Sequence, residues 1–86
     1  MPQVSRFYGI SIYMYYDDHN PPHFHAVYGE HRAEVGIRPI HLIEGTMPRR
    51  ALSFVLEWAA LHQAELEANW QRAQNRDDIE RISPLN

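Results

Sequence analysis

A chain of 86 residues has room for one hydrophobic core, because domains below about 100 residues bury only about 60–65% of their unfolded surface. Its 44% hydrophobic and 22% charged content, with two Trp, five Tyr and three Phe, excludes a disordered tail. The lack of cysteine excludes disulfides and thiolate metal sites and fits a reducing cytoplasm, while a net charge of −3 argues against a general nucleic-acid binder, which needs a basic excess.

Met1 to Arg6 shows no basic segment leading into an apolar one, and no run approaches the ~18 apolar residues that span a bilayer. The expectation is a cytoplasmic protein without leader or membrane anchor. Residues 6–16, RFYGISIYMYY, are rich in aromatic and β-branched side chains and read as one strand. Ile10, Ile12 and Met14 fall on one face, with Ser11, Tyr13 and Tyr15 on the other. Asp17-Asp18-His19-Asn20-Pro21-Pro22 follows as a rigid loop, since two prolines lack the donors a ladder needs.

Residues 23–29 and 32–38 alternate with period two around a turn at Gly29-Glu30-His31. Pairing Tyr28 with Ala33 puts Phe24, Ala26, Tyr28, Ala33, Val35 and Ile37 on one face; a slip of two residues preserves that face, and a slip of one destroys it. The opposite face shows His23, His25, Val27, Glu34 and Arg38, joined by Tyr13 and Tyr15. Residues 40–43 read as a further short strand. From Pro48 to about residue 75 the positions Leu52, Val55, Leu56, Ala59, Leu66, Trp70 and Ala73, widened by Phe54, Trp58 and Leu61, form the stripe of one helix of about seven turns. Residues 76–86 read as an extended tail that Ile79 and Ile82 dock. The expected fold is α+β, a three- to four-stranded antiparallel sheet on one long C-terminal helix, in a single domain spanning 1–86.

The densest polar group runs from Asp17 to His25. Residues two apart on a strand share a face about 6.6–6.8 Å apart, so His23 and His25 can reach one ion, with Asp17, Asp18 or His19 arriving from the loop. These are the ligand types of zinc, manganese or iron. Two other readings stand beside a metal site. Asp17 or Asp18 can cap the loop while the histidines pair across the sheet with Tyr13, Tyr15, Glu34 and Arg38. Alternatively His23 and His25, or one of them with His19, act as an acid/base pair with Arg38 holding a phosphate, which makes His23, His25 and Arg38 the catalytic candidates of a small nuclease or hydrolase. The spacing of His23, His25 and Glu30 also resembles part of a cupin metal motif, but the preceding glycine is missing and too few strands remain for that barrel.

Arg49 and Arg50 stand in the first helical turn, where the macrodipole disfavours cations, so an anion or partner is one explanation and a carboxylate such as Glu44 or Glu57 the other. His62, Trp58 and Trp70 lie on the apolar stripe and read as core or core-edge residues. Residues 1–50 balance five Arg against five carboxylates and hold five of the six histidines, whereas residues 51–86 set three Arg against six carboxylates.

The runs IYMYYDDHNPPHFHA (Ile12 to Ala26) and PRRALSFVLEWAALH (Pro48 to His62), with the later ANW and the closing SPL, resemble the bacterial proteins grouped as domain of unknown function 4160. That family commonly carries lysine near the start of the second run, where this chain has Arg49 and Arg50. The resemblance implies a short protein encoded beside another small protein in a toxin-antitoxin-like pair, and it brings no catalytic residue with it. The resulting expectation is a small interaction or regulatory protein that holds a second protein, or a second copy of itself, through Tyr13, Tyr15, His23, His25, Arg38, Arg49 and Arg50. The competing expectation is the nuclease or hydrolase, with or without a divalent metal.

Overall fold

A computed structural model describes residues 2–86. The chain runs β1 (Gln3–Phe7), β2 (Ile10–Tyr13), β3 (His23–Tyr28), β4 (His31–Ile37), β5 (Ile40–Gly45), α1 (Arg49–Leu61) and α2 (Gln63–Gln74). The strands form one antiparallel sheet in sequential order, a meander, and the helices lie on one face of it, giving an α+β architecture. No helix among the described residues is long and apolar enough to cross a membrane.

The sheet has five strands where three to four were expected, because the run 6–16 folds back on itself. Tyr8 and Gly9 have φ of 51° and 79° and join Phe7 to its partner Ile10, which is the two-residue turn whose twist suits a hairpin. The left-handed conformation favours glycine at position 9, and Tyr8 is held there with its ring 4.9 Å from that of Phe54. The β3–β4 hairpin pairs Tyr28 with His31 and Ala26 with Ala33, a slip of two from the expected register. The turn is therefore Gly29-Glu30, and the core face survives: Phe24, Ala26, Ala33, Val35 and Ile37 are all buried, though Tyr28 at its end is exposed. At the far edge Gly45 has φ of 91°, and a Cβ there would stand 2.1 Å from the Arg32 carbonyl oxygen, so only glycine fits.

The expected single helix is two. Twenty-eight residues of straight helix would reach about 42 Å, beyond the 33 Å longest extent of the fold. The chain bends at His62, whose φ of −121° leaves the helical region. Its N–H is shared between the carbonyls of Trp58 and Ala59, and its ring packs 5.6 Å from Trp58 while Nδ1 meets Glu65 at 2.6 Å. Leu61, expected on the stripe, precedes the bend and is 65% exposed.

Trp58 is fully buried at the centre of the core, with Phe7 and Phe24 at 5.4 and 5.6 Å between ring centroids. The tail is held by specific bonds. Asn69, 0% exposed, donates from Nδ2 to the Glu80 carbonyl at 2.8 Å and accepts the Glu80 N–H on Oδ1 at 3.0 Å. Trp58 Nε1 donates to the Ser83 carbonyl at 2.8 Å, and the Ile82 N–H reaches the Val4 carbonyl at 2.8 Å. Ile82 is buried and Ile79 half-buried against the core.

Candidate functional site

Because side chains alternate along β3, His23 and His25 leave the strand on the side opposite Phe24. The 14–22 loop then returns across them. It is drawn toward the end of α2, where Asp17 pairs with Arg76 and Gln74 Nε2 donates to the Asp18 carbonyl at 3.3 Å. That path turns Asp17 outward and Asp18 inward.

Asp18 Oδ2 lies 2.9 Å from His25 Nε2 and 3.0 Å from His23 Nε2. His19 touches the other carboxylate oxygen, with its backbone N–H at 2.9 Å and its ring Nδ1 at 3.0 Å. Glu34, the register partner of His25, brings Oε1 to 3.6 Å from His23 Nε2 and 3.8 Å from His19 Nε2. The imidazole rings of His19, His23 and His25 follow one another at 4.9 Å spacing.

The three histidines differ in their surroundings. His23 is 1% exposed and packs 5.3 Å from the Trp70 ring. Its Nδ1 sits 2.8 Å from the Pro21 carbonyl oxygen, which can only accept, so Nδ1 carries the proton and Nε2 presents a lone pair in the neutral ring. Among the described residues that buried Nε2 makes no hydrogen bond, although Asp18 Oδ2 lies 3.0 Å away. The His25 side chain is 23% exposed and that of His19 69% exposed, so the cluster grades from interior to solvent.

Burial on its own pushes the Asp18 carboxyl up, but the His25 ring N–H, the His19 backbone N–H and the neighbouring imidazoles outweigh it and hold the group below the ordinary carboxylate value. Asp18 is therefore an anion at neutral pH. The Tyr15 phenol is pushed up, first by burial and then by Tyr13, against an opposing contribution from Arg32, and it stays a neutral hydroxyl.

Beside the cluster the second face of the sheet is open. Tyr13 and Tyr15 stack nearly parallel with centroids 6.4 Å apart, and Tyr15 meets His25 edge-on at 4.6 Å. Tyr15, His25, Val27, Arg32, Glu34 and Glu44 line a depression of about 290 Å³.

Of the residues singled out in the sequence, Asp18, His19, His23 and His25 come together, with Tyr13 and Tyr15 adjoining. Asp17 is removed by its pairing with Arg76. Arg38 also leaves the group: its guanidinium pairs with Glu67 of α2 through two bonds of 2.9 and 2.7 Å, because it follows the last residue of β4 and turns over the helix edge. Arg50 lies 5.6 Å from the centroid of Phe54, and Arg49 is exposed; both belong to the α1 start, apart from the histidines. Glu34 was not among the ligand candidates, although alternation put it on the histidine face; its place opposite His25 depends on the two-residue slip. Arg32 and Glu44 were missed because their positions depend on the β3–β4 slip and on the bulge between β4 and β5.

Fold and site together define a small α+β domain carrying an imidazole–carboxylate cluster at one end of an antiparallel meander. Residues 9–71 match the family described as domain of unknown function (DUF4160), and the chain belongs to that family. No curated protein and no solved structure matches it.

Proposed function

We propose that this chain is a small interaction domain, one member of a toxin-antitoxin-like gene pair, and that it holds a second small protein encoded beside it against the open face of its sheet. The observation that carries the reading is the Tyr13–Tyr15 stack on a face whose other members, His25, Val27, Arg32 and Glu34, are half-buried or exposed. Interface cores favour tyrosine and arginine and disfavour lysine, and this chain contains no lysine. Glu34 and Glu44 against Arg32 leave the depression net acidic, which suits a partner presenting arginine or lysine.

Co-expression with the neighbouring gene, followed by co-purification and growth scoring, tests it. A complex should form, and Tyr15→Ala should weaken it by about 1–3 kcal/mol with little change in melting temperature. A chain that purifies alone, or a Tyr15→Ala variant that loses folding stability and affinity together, overturns the reading.

A second reading, a histidine-dependent hydrolase, is favoured by one observation: an ionised Asp18 beside two imidazoles, of which His25 is open to solvent. Wild-type cleavage of RNA or DNA that falls by about a hundredfold in His25→Gln supports it; absence of cleavage by the wild type retires it.

A further inference from the structure

The buried Nε2 of His23 goes unexplained by partner binding through the sheet face. An unmet acceptor in a protein interior is costly, and here the nearest group, Asp18 Oδ2 at 3.0 Å, is itself an acceptor. Two acceptors that close together repel unless a cation binds beside both.

We propose that Asp18, His23 and His25 are the protein ligands of a divalent first-row transition ion, zinc being the ion best matched to two imidazoles and one carboxylate, with His19 and Glu34 at its open side. This goes beyond the partner-binding reading and does not depend on it.

Geometry, chemistry and orientation agree. The ligand atoms of Asp18, His23 and His25 all lie within 4.8 Å of one another. Four-coordinate zinc with bonds of about 2.0–2.1 Å sets its ligand atoms about 3.3 Å apart. The Asp18 oxygen, at 2.9 and 3.0 Å from the two imidazole nitrogens, has only a few tenths of an ångström to move. Imidazole nitrogen selects zinc and its transition-metal neighbours over magnesium and calcium, which take oxygen shells. The Nδ1–H of His23 bonded to the Pro21 carbonyl is the outer contact that metal-bound imidazoles make, fixing the tautomer so that Nε2 faces the ion. The Glu34 carboxylate, 3.6 Å from His23 Nε2, stands where a fourth ligand or a base for a bound water belongs, and exposed His19 leaves the ion a path to solvent.

The opposing explanation is a permanently protonated His23, with the proton on Nε2 supplying the positive charge. Metal titration of the full chain, tag-free and stripped with chelator, separates the two. We expect one zinc per chain by calorimetry and elemental analysis, a raised melting temperature, and visible d–d absorption when cobalt(II) replaces zinc. His25→Ala and Asp18→Asn should each lose more than about tenfold in affinity, while His31→Ala, which removes an exposed histidine from the β3–β4 hairpin, should bind as wild type does. These partly exposed positions carry the test because His23→Gln, in the interior, can fail to fold. Wild type that takes up neither zinc nor cobalt, with a doubly protonated His23 in nitrogen-15 spectra at neutral pH, overturns the proposal. Undiminished affinity in both the Asp18 and His25 variants overturns the ligand assignment. Neither result bears on whether the partner protein is captured, so the two readings fail separately.

Discussion

Asn69 and His23 are both polar, both essentially without solvent contact, and they are completed in opposite ways. Asn69 spends its amide on the backbone of Glu80 from both sides and accepts a further bond from Arg72 Nη1 at 2.8 Å. Neither its nitrogen nor its oxygen is left without a partner. His23 has one nitrogen bonded and the other 3.0 Å from a carboxylate oxygen without a hydrogen bond to it. A buried polar group whose polar atoms are all partnered inside the chain holds the fold together, whereas one with an unmet acceptor at a convergence of ligand-type side chains is where we propose the ion to bind.

The largest effects should come from the completed side of that comparison. Trp58→Ala should cost about 3–5 kcal/mol, since it removes the central core ring, and with it goes the Nε1 bond that holds Ser83. Asn69→Ala should cost about 2–3 kcal/mol by leaving the Glu80 N–H and carbonyl without partners. Denaturant unfolding checks both, and losses below 1 kcal/mol would show that the tail is a loose appendage.

Asp18→Asn sharpens the contrast. In the metal-free protein the asparagine amide can donate to the His23 lone pair, and His25 can switch tautomer to accept as well. Stability should then stay within about 1 kcal/mol of wild type or rise. A loss of about 2 kcal/mol or more would mean that Asp18 is instead the counterion of protonated histidines.

The smallest effect belongs to Arg38, which sequence alternation grouped with the histidines and the fold does not. Arg38→Ala should leave metal uptake and partner affinity unchanged and lower the melting temperature only slightly, because an exposed pair is well screened. The Arg38 hydrogen bonds hold the Glu67 carboxyl below its ordinary value, so this small contribution is fully present above the ordinary glutamate range and is lost as pH falls from there through the depressed value of the folded protein. A wild-type and Arg38→Ala difference that persists in strong acid would contradict that assignment.

Short-range geometry was legible in the residue order. Alternation alone placed Ile10, Ile12 and Met14 inside and put His23 and His25 on one side of a strand, because successive side chains of a pleated strand must point oppositely. The proline pair marked the loop for an equally local reason. The lone Gly9 was the legible but unread sign of the first hairpin, and a helix stripe too long for so small a body was the sign of the bend at His62. What the residue order left open was which of two adjacent aspartates turns inward, where Arg38 goes, how the tail docks and that Asn69 is interior. Each of these rests on contacts between distant positions: Arg76 to Asp17 and Gln74 to Asp18 are 59 and 56 residues apart, and Arg38 to Glu67 is 29 apart. Covalent geometry sets the periodicity of a segment, but the meeting of side chains across such separations is chosen by the packing of the whole chain, and only the tertiary structure records it.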